Sequence, residues 1–453
     1  MPSLVALAFD QLLTADPSAV VASTSSGSVT RGELDSVARR VALPLEGIAT
    51  GRRIALSVRD GVTFLAAFLA LARRGDTALL LDAADPRAPR LDLAGRFGAS
   101  AVLVDDPELS VLTCDGTTSS GVDRAIKLTS GSTGEPNAIA VGDQELLADA
   151  AALESTMGIG DGDRVFAAVP MSFSYGVGNL MVPALARGRH LILPDPGPLG
   201  LVRAMRVGEP TVLPAVPALL RALVQGSFSL PESMRLVISA GATLPVDVAL
   251  AFRQRFGLPV HAFYGSTESG GISYDTTGLA AERGSVGRPV DGVTVEVRAD
   301  GHVSIRSAAV GRVLIGSANA NPNDGVFVAP DLGKFVDGEL YLLGRAGAVF
   351  DVGGHKVDPR EIERLIGELP QVSDVSVLPF RDEHGRAVCG AVVVGAGIDA
   401  DDVRTHCAAV LPSAKVPRRV VLVDSLPRNS RGKVQRDALN ALMAGASDME
   451  SQE

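Results

Sequence analysis

Short apolar runs alternate with helical stretches along most of this chain, and that alternation limits the possible folds more than any other feature. Residues 53–58 read as a strand, 61–74 as a helix and 77–82 as the next strand. Strand, helix and strand in succession build a parallel pair joined by a crossover. The pattern recurs with strands at 165–169, 190–193, 236–239 and 260–263 and helices at 179–186, 216–225 and 246–256. Near the start, Thr30 caps an amphipathic helix whose apolar positions are Leu34, Val37, Ala38 and Val41. From Val286 to about Tyr341 the pattern changes to short strands broken by Gly and Asp turns. The last hundred residues read as helix 361–369, strands 372–378 and 388–394, and helix 403–411, after a hinge near Arg345-Ala346-Gly347. The expected fold is α/β. A large N-terminal domain, 1–345, has parallel-type sheets with crossover helices plus a small β subdomain. A small, mobile α+β C-terminal domain covers 346–453.

Composition removes several function classes. The 453 residues are 46% hydrophobic and carry a net charge of −10, which disfavours a nucleic-acid partner on electrostatic grounds. Cys114, Cys389 and Cys407 fit no metal spacing or disulfide framework, so buried free thiols in a reducing compartment are expected. The N-terminus has no basic segment ahead of an apolar one, and the longest apolar run, 62–72, is too short to span a bilayer. A soluble cytoplasmic protein is expected.

Four segments carry chemistry. The first, Leu128-Thr129-Ser130-Gly131-Ser132-Thr133-Gly134-Glu135-Pro136, packs four hydroxyls and two glycines into nine residues. Exposed backbone N–H groups and hydroxyls together make a cradle for phosphate oxygens. An apolar approach, Ala125-Ile126-Lys127-Leu128, precedes it, and a second run, Ala138-Ile139-Ala140-Val141, follows. The loop therefore reads as a hairpin turn rather than a P-loop, which needs a Lys-Ser/Thr pair and a helix start. The second segment, Ala262-Phe263-Tyr264-Gly265-Ser266-Thr267-Glu268, ends a strand in an aromatic, hydroxyls and a carboxylate. An aromatic there stacks on a base, and a carboxylate suits Mg²⁺. The third pairs Asp331-Leu332-Gly333 with Leu343-Gly344-Arg345, a carboxylate and a guanidinium fork suited to ribose or phosphate oxygens. The fourth, Asn429 to Arg436, places Lys433 after a glycine on a basic loop.

Taken in this order, the four segments resemble the adenylate-forming superfamily of acyl- and aryl-CoA ligases, peptide-synthetase adenylation domains and luciferases. The resemblance covers nearly the whole chain. It extends to Thr30-Arg31-Gly32-Glu33-Leu34, Gly284-Ser285-Val286-Gly287-Arg288-Pro289 and the run from Val352 to Glu363. It implies that Thr129, Ser130, Gly131, Ser132, Thr133 and Gly134 hold the β- and γ-phosphates of ATP. It implies that Thr267 meets the α-phosphate, Glu268 holds Mg²⁺, and Tyr264 with Gly265 lies against adenine, beside the backbone of Gly241-Ala242-Thr243. Asp331 and Arg345 match the ribose pair. Lys433 matches the lysine that bridges carboxylate, ribose and α-phosphate. A carboxylate and a triphosphate must meet in line, so positive charge at that point is the physical requirement. In the family, rotation of the small domain then withdraws the lysine and admits a thiol.

By the same resemblance the acid pocket is lined by Phe173, Ser174, Tyr175, Gly176, Ala240, Ser266, Gly270 and Gly271. Amino-acid-activating relatives have an Asp where Ser174 stands. A neutral Ser would leave a buried ammonium unpaired, so a plain carboxylic acid is expected. Phe173 to Asn179 is similar to benzoate-type ligases, while Gly270 and Gly271 would also admit an aliphatic chain. The acceptor implied is a pantetheine thiol, of CoA or of a carrier protein, entering past Gly353 and Gly354. Arg418, Arg419, Arg428, Arg431 and Arg436 form a basic patch for such a partner or an ordinary solvated face. Three positions depart from the family pattern. Asn137 replaces a phosphate-loop Lys, Ala262 replaces a polar residue facing adenine, and Gly347 replaces the hinge Asp or Lys. These departures keep a second expectation open, a nucleotide- or acyl-adenylate-binding relative with little turnover.

Overall fold

The computed structural model describes residues 3–105, 108–114, 116, 121–129, 137–315, 325–345, 350–352, 355–382, 386–428 and 434–445. Two compact units divide the chain. The first takes in residues 1–298, 303–329 and 334–341, and the second 299–302, 330–333 and 342–453.

The first unit is built on two large sheets. In the nine-stranded sheet, six strands run parallel in the order Val260–Ser266, Leu236–Ser239, Val212–Ala215, Arg164–Phe166, His190–Ile192 and Val20–Thr24. Gly270–Tyr274 and Arg288–Pro289 extend one edge, and Gly27–Thr30 the other, all antiparallel. In the seven-stranded sheet, Asp123–Thr129, Thr77–Leu80, Arg53–Ser57 and Ala101–Asp105 are parallel. Antiparallel strands again finish both edges: Leu109–Thr113 on one side, Asn137–Gly142 and Arg312–Ile315 on the other. The predicted crossover core is present, with hairpin strands added where a short turn permits no crossover.

Helix Gly61–Arg74 shows why this unit holds together. Asp60 caps it by accepting from Thr63 N–H, and Gly75 ends it in the left-handed region at φ 73°. All of Phe64 to Ala72 are buried, as expected of a helix that is apolar all round. These residues share one core with Ile54 and Leu56 of the seven-stranded sheet and Val21, Leu191 and Ile238 of the nine-stranded sheet. Alternate residues face the other way. Ala55, Leu79, Val102 and Ile126 form a second core with Ala94 and Phe97, so the sheet is buried on both faces. The Thr30 cap is present as a full capping box with Glu33.

The second unit carries a three-stranded sheet in the order Val372–Arg381, Ala387–Gly395 and Arg419–Val423, antiparallel and then parallel. Helices Pro359–Gly367 and Ala400–Ala408 cover one face through Ile362, Ile366, Val403 and Cys407. Helix Arg436–Gly445 covers the other through Leu439 and Met443. Cys389 and Cys407 are free and buried, and burial pushes their thiols up to about 12 and about 11, which leaves them inert at neutral pH. No described helix is long and apolar enough to cross a membrane.

Candidate active site

The carboxyl edge of the parallel strands in the nine-stranded sheet builds the first part of the site. Strand Leu236–Ser239 runs out through Ala240 into Gly241-Ala242-Thr243, all three exposed. Gly241 needs its glycine, with φ at +82°. The neighbouring strand pairs Ser239 with Ala262. Continuing that register two residues brings Gly241 level with Tyr264, which is half-buried. Beyond it come exposed Gly265 and half-buried Ser266, Thr267 and Glu268. This exit is braced. Ser269 N–H donates to Ser266 Oγ at 3.1 Å, and Gly311 N–H donates to the Glu268 carbonyl at 2.7 Å. Ala262 is buried, and its carbonyl already accepts from Asp275 N–H, so this position offers adenine no side-chain donor.

The second part is the hairpin of Asp123–Thr129 and Asn137–Gly142, antiparallel with Thr129 opposite Asn137. The hairpin expectation therefore holds for the flanking strands. Ser130, Gly131, Ser132, Thr133 and Gly134 lie outside the described residues, as do Gly347, Gly353, Gly354 and Lys433. Strands Phe350–Val352 and His355–Val357 flank the glycine pair, and an Arg428–Val434 bridge brackets the lysine segment.

The third part is the segment after Pro170. A helical turn at Ser174–Gly176 leads into a π-helical stretch at Val177–Met181 before α-helix Val182–Arg187. A continuous helix over 179–186 was expected; π-turns of this kind collect at functional sites. Asn179 Nδ2 donates to the Tyr175 carbonyl at 3.1 Å, and its Oδ1 is buried without a partner. Gly176 is obligatory, because a Cβ there would lie 2.1 Å from the Pro170 carbonyl. The Tyr175 ring packs 5.7 Å from Phe263, centroid to centroid. Burial pushes its phenol above the ordinary tyrosine range, so Tyr175 stays protonated, its hydroxyl directed at the Ile238 carbonyl 3.5 Å away.

A polar pair that the motif reading passed over stands between these parts. Lys127 is only 4% exposed and donates to Ser174 Oγ at 3.4 Å. Asp149, on helix Asp143–Met157, accepts from Gly271 N–H at 2.9 Å. Burial pulls the Lys127 ammonium down, opposed by the charges of Asp149, Glu268 and Glu145. Burial pushes the Asp149 carboxyl up, opposed by Lys127 and by the Gly271 N–H. The signal available in the sequence was a lysine in the middle of the apolar run 125–128.

In the second unit, Asp331 is 5% exposed and holds Arg345 at 3.1 Å, with the guanidinium half in solvent. Three members of the basic patch have partners within their own unit. Arg428 pairs with Asp374 at 2.6 Å, Arg418 with Asp382 at 3.4 Å, and Arg419 lies over the Phe380 ring.

The carboxyl edge of a parallel sheet, where the segments 240–243 and 264–268 leave it, is where open α/β sheets bind ligands. The family model of the AMP-binding enzyme matches residues 124–321, and that of the AMP-binding enzyme C-terminal domain matches residues 361–433. This chain belongs to the AMP-binding, adenylate-forming enzymes. It is 31% identical over 316 residues to the 4-hydroxybenzoate–CoA/benzoate–CoA ligase of Rhodopseudomonas palustris, covering 64% of this chain and 59% of that one. It is 28% identical over 499 residues to a probable non-canonical nonribosomal peptide synthetase, CymA, of Salinispora arenicola, covering 97% of this chain and 6% of that one. Both alignments thus span less than two thirds of the relative's length. The structure resembles ATP-bound MatB from Rhodopseudomonas palustris with a TM-score of 0.82 and 27% identity, covering 97% of this chain and 98% of that one.

Proposed function

We propose that this protein activates a carboxylic acid with ATP and passes the acyl group to a pantetheine thiol. The acid carboxylate attacks the α-phosphorus of ATP. The bond to pyrophosphate breaks, and an acyl-adenylate forms. A thiol, losing its proton to solvent, then attacks the acyl carbon, and AMP leaves from a thioester. The observation that carries this reading is the convergence of Gly241–Thr243, Tyr264 and Thr267–Glu268 at one carboxyl edge. Membership of a family that includes CoA ligases supports it.

The chain's own groups take the following parts. Gly241–Thr243 and Gly265 present backbone to adenine, and Tyr264 stacks on it. Thr267 donates to an α-phosphate oxygen. Thr129 and the loop residues Ser130 to Gly134 donate to the β- and γ-phosphates. Asp331 accepts from ribose hydroxyls while Arg345 holds it in place. Phe173 to Gly176, Ala240, Ser266, Gly270 and Gly271 form the acid pocket. Glu268 is a single half-buried carboxylate, and no cluster of three or more metal-ligating side chains occurs among the described residues. That donor set fits Mg²⁺, which is held by one or two carboxylates with substrate phosphates and water. Bound there, the ion would neutralise phosphate charge. Lys433 supplies the remaining positive charge where the carboxylate meets the α-phosphate.

The proposed division of labour is 1–345 for nucleotide and acid and 346–453 for the lysine and the thiol path past Gly353 and Gly354, although Asp331 and Arg345 belong to the second compact unit. CoA is the preferred acceptor, because a relative that this chain matches is named a CoA ligase. The cytoplasm, where ATP and CoA are supplied, is the proposed location. The test is acid-dependent ATP–pyrophosphate exchange over benzoates, cinnamates, fatty acids and amino acids, followed by thioester formation with CoA or carrier protein. Exchange with at least one plain acid is expected. Nucleotide binding without exchange over the whole panel would replace this reading with the low-turnover one.

A further inference from the structure

The Lys127–Asp149 pair has no part in the reaction just described, yet it lies against the proposed acid pocket. Lys127 shares a strand face with Ala125, which belongs to the core between the two sheets, whereas Ile126 and Leu128 belong to the core on the opposite face. Its ammonium therefore points inward, toward Ser174. Asp149 is gripped from two segments. Gly271 N–H binds Oδ1, and Gly270 and Gly178 leave the space the carboxylate occupies. A Cβ at Gly270 would stand 2.3 Å from Oδ1, and one at Gly178 would stand 2.6 Å from Oδ2. The pocket segments 174–178 and 270–271 thus close on two buried charged groups, Lys127 and Asp149, which act on each other through space. A buried charged group repays its desolvation only when its donors or acceptors are satisfied. Lysine has three donors, and among the described residues Ser174 takes one.

We propose that Lys127 and Asp149 are specificity-determining residues that select an acid bearing a hydroxyl group remote from its reacting carboxylate. The inference rests on the acid-activating reading above. A hydroxyl accepts from Lys127 and donates to Asp149, completing both groups without changing the net charge. A second carboxylate would add an anion beside Asp149, Glu268 and Glu145, the groups whose charges already act on Lys127. An α-ammonium at Ser174 would meet the Lys127 ammonium directly. A site built to hydrogen-bond a hydroxyl rejects the analogue lacking it, because its own polar groups are then left unpaired.

The experiment is ATP–pyrophosphate exchange on the full chain with matched acids: benzoate against 3- and 4-hydroxybenzoate, hexanoate against 6-hydroxyhexanoate, with adipate and phenylalanine alongside. The wild type is expected to favour a hydroxylated member by about tenfold or more in kcat/KM. The double variant Lys127→Met/Asp149→Leu leaves no buried charge behind. It should bring the ratio to about one while holding KM for ATP, and exchange with the unsubstituted acid, within about threefold. A second double variant, Lys127→Gln/Asp149→Asn, stays close to native volume and polarity, and it too must lower the ratio by about threefold or more. An unchanged ratio in both variants, a change in KM for ATP instead, or a wild-type preference for adipate or phenylalanine would overturn the assignment. No exchange with any acid would remove the acid-activating reading itself, which is a different failure from exchange without preference.

Discussion

Gly270→Ala tests how tightly Asp149 is held. Gly270 has φ at +69°, and an L residue in the left-handed region costs about 1–2 kcal/mol. The new Cβ would stand 2.3 Å from Asp149 Oδ1 and 2.6 Å from Cγ, closer than any Cβ contact allows. The carboxylate must turn away, which sacrifices its bond from Gly271 N–H. A hydrogen bond to a charged group contributes about 1.5–3 kcal/mol. The two effects together come to about 2.5–5 kcal/mol. Gly284→Ala is the internal control. Its φ is +74° with nothing within 4 Å of a new Cβ, so it carries the backbone cost of about 1–2 kcal/mol alone. Urea titrations read by circular dichroism, with m-values compared, should place Gly270→Ala well below Gly284→Ala. Equal losses would mean that Asp149 swings aside freely and that the grip of the glycine segments is illusory.

Lys433→Ala should cut acyl-adenylate formation by about two to three orders of magnitude and leave thioester formation from supplied adenylate much less affected; equal loss in single-turnover assays of both steps would refute the alternation of half-reactions. Asn137→Lys restores a cation opposite Thr129 at the hairpin mouth and should leave KM for ATP unchanged or lower; a severe rise would show that the loop sits elsewhere. The Asp163 carboxyl is pushed up by burial, but bonds from Arg235 at 2.8 Å, Gly160 N–H and Thr211 outweigh this and hold it down to about 2. The ionised group is therefore stabilising above the unfolded value of 3.8, and its contribution is lost as pH falls from there toward about 2. Asp163→Asn should be less stable than wild type at neutral pH, with the gap closing below pH 3.8; a gap independent of pH in denaturant titrations would place the effect in packing rather than charge.

Much of the fold was legible because its signals are local. Residues 61–74 read as a helix and form one, with Asp60 and Gly75 at its ends. The two apolar runs around 129–137 read as hairpin strands and pair in that way. The opening helix Leu4–Ala15 and the hairpin of Val20–Thr24 and Gly27–Thr30 were not read, nor was the Ala101–Asp105/Leu109–Thr113 pair. Edge strands are short and depend on a neighbour for their hydrogen bonds, so their periodicity is weak. Residues 179–181 of the π-stretch Val177–Met181 were read as ordinary helix, because an apolar run does not disclose which carbonyl each N–H selects. The arginine patch looked available for a partner, yet Asp374 and Asp382 had already claimed two of its members. Those pairs depend on strand neighbours distant in sequence.

By itself, the sequence determined the order of the motifs, the alternation of strand and helix, and the groups proposed to meet ATP. Hydrophobic period, turn chemistry and hydroxyl-rich loops are written within a few residues of one another. Tertiary structure decided what those groups face. Lys127 stood in the sequence only as part of an apolar approach to the hydroxyl-rich loop; the packing of the second sheet over its face and of Asp149 on a following helix set its surroundings. Gly270 and Gly271 looked like open space in a pocket until the Asp149 carboxylate was found beside the first and the Leu153 and Phe263 side chains beside the second. A side chain's period says which face it shares, but only the packing of one sheet against another says whether that face is water, hydrocarbon or an opposite charge.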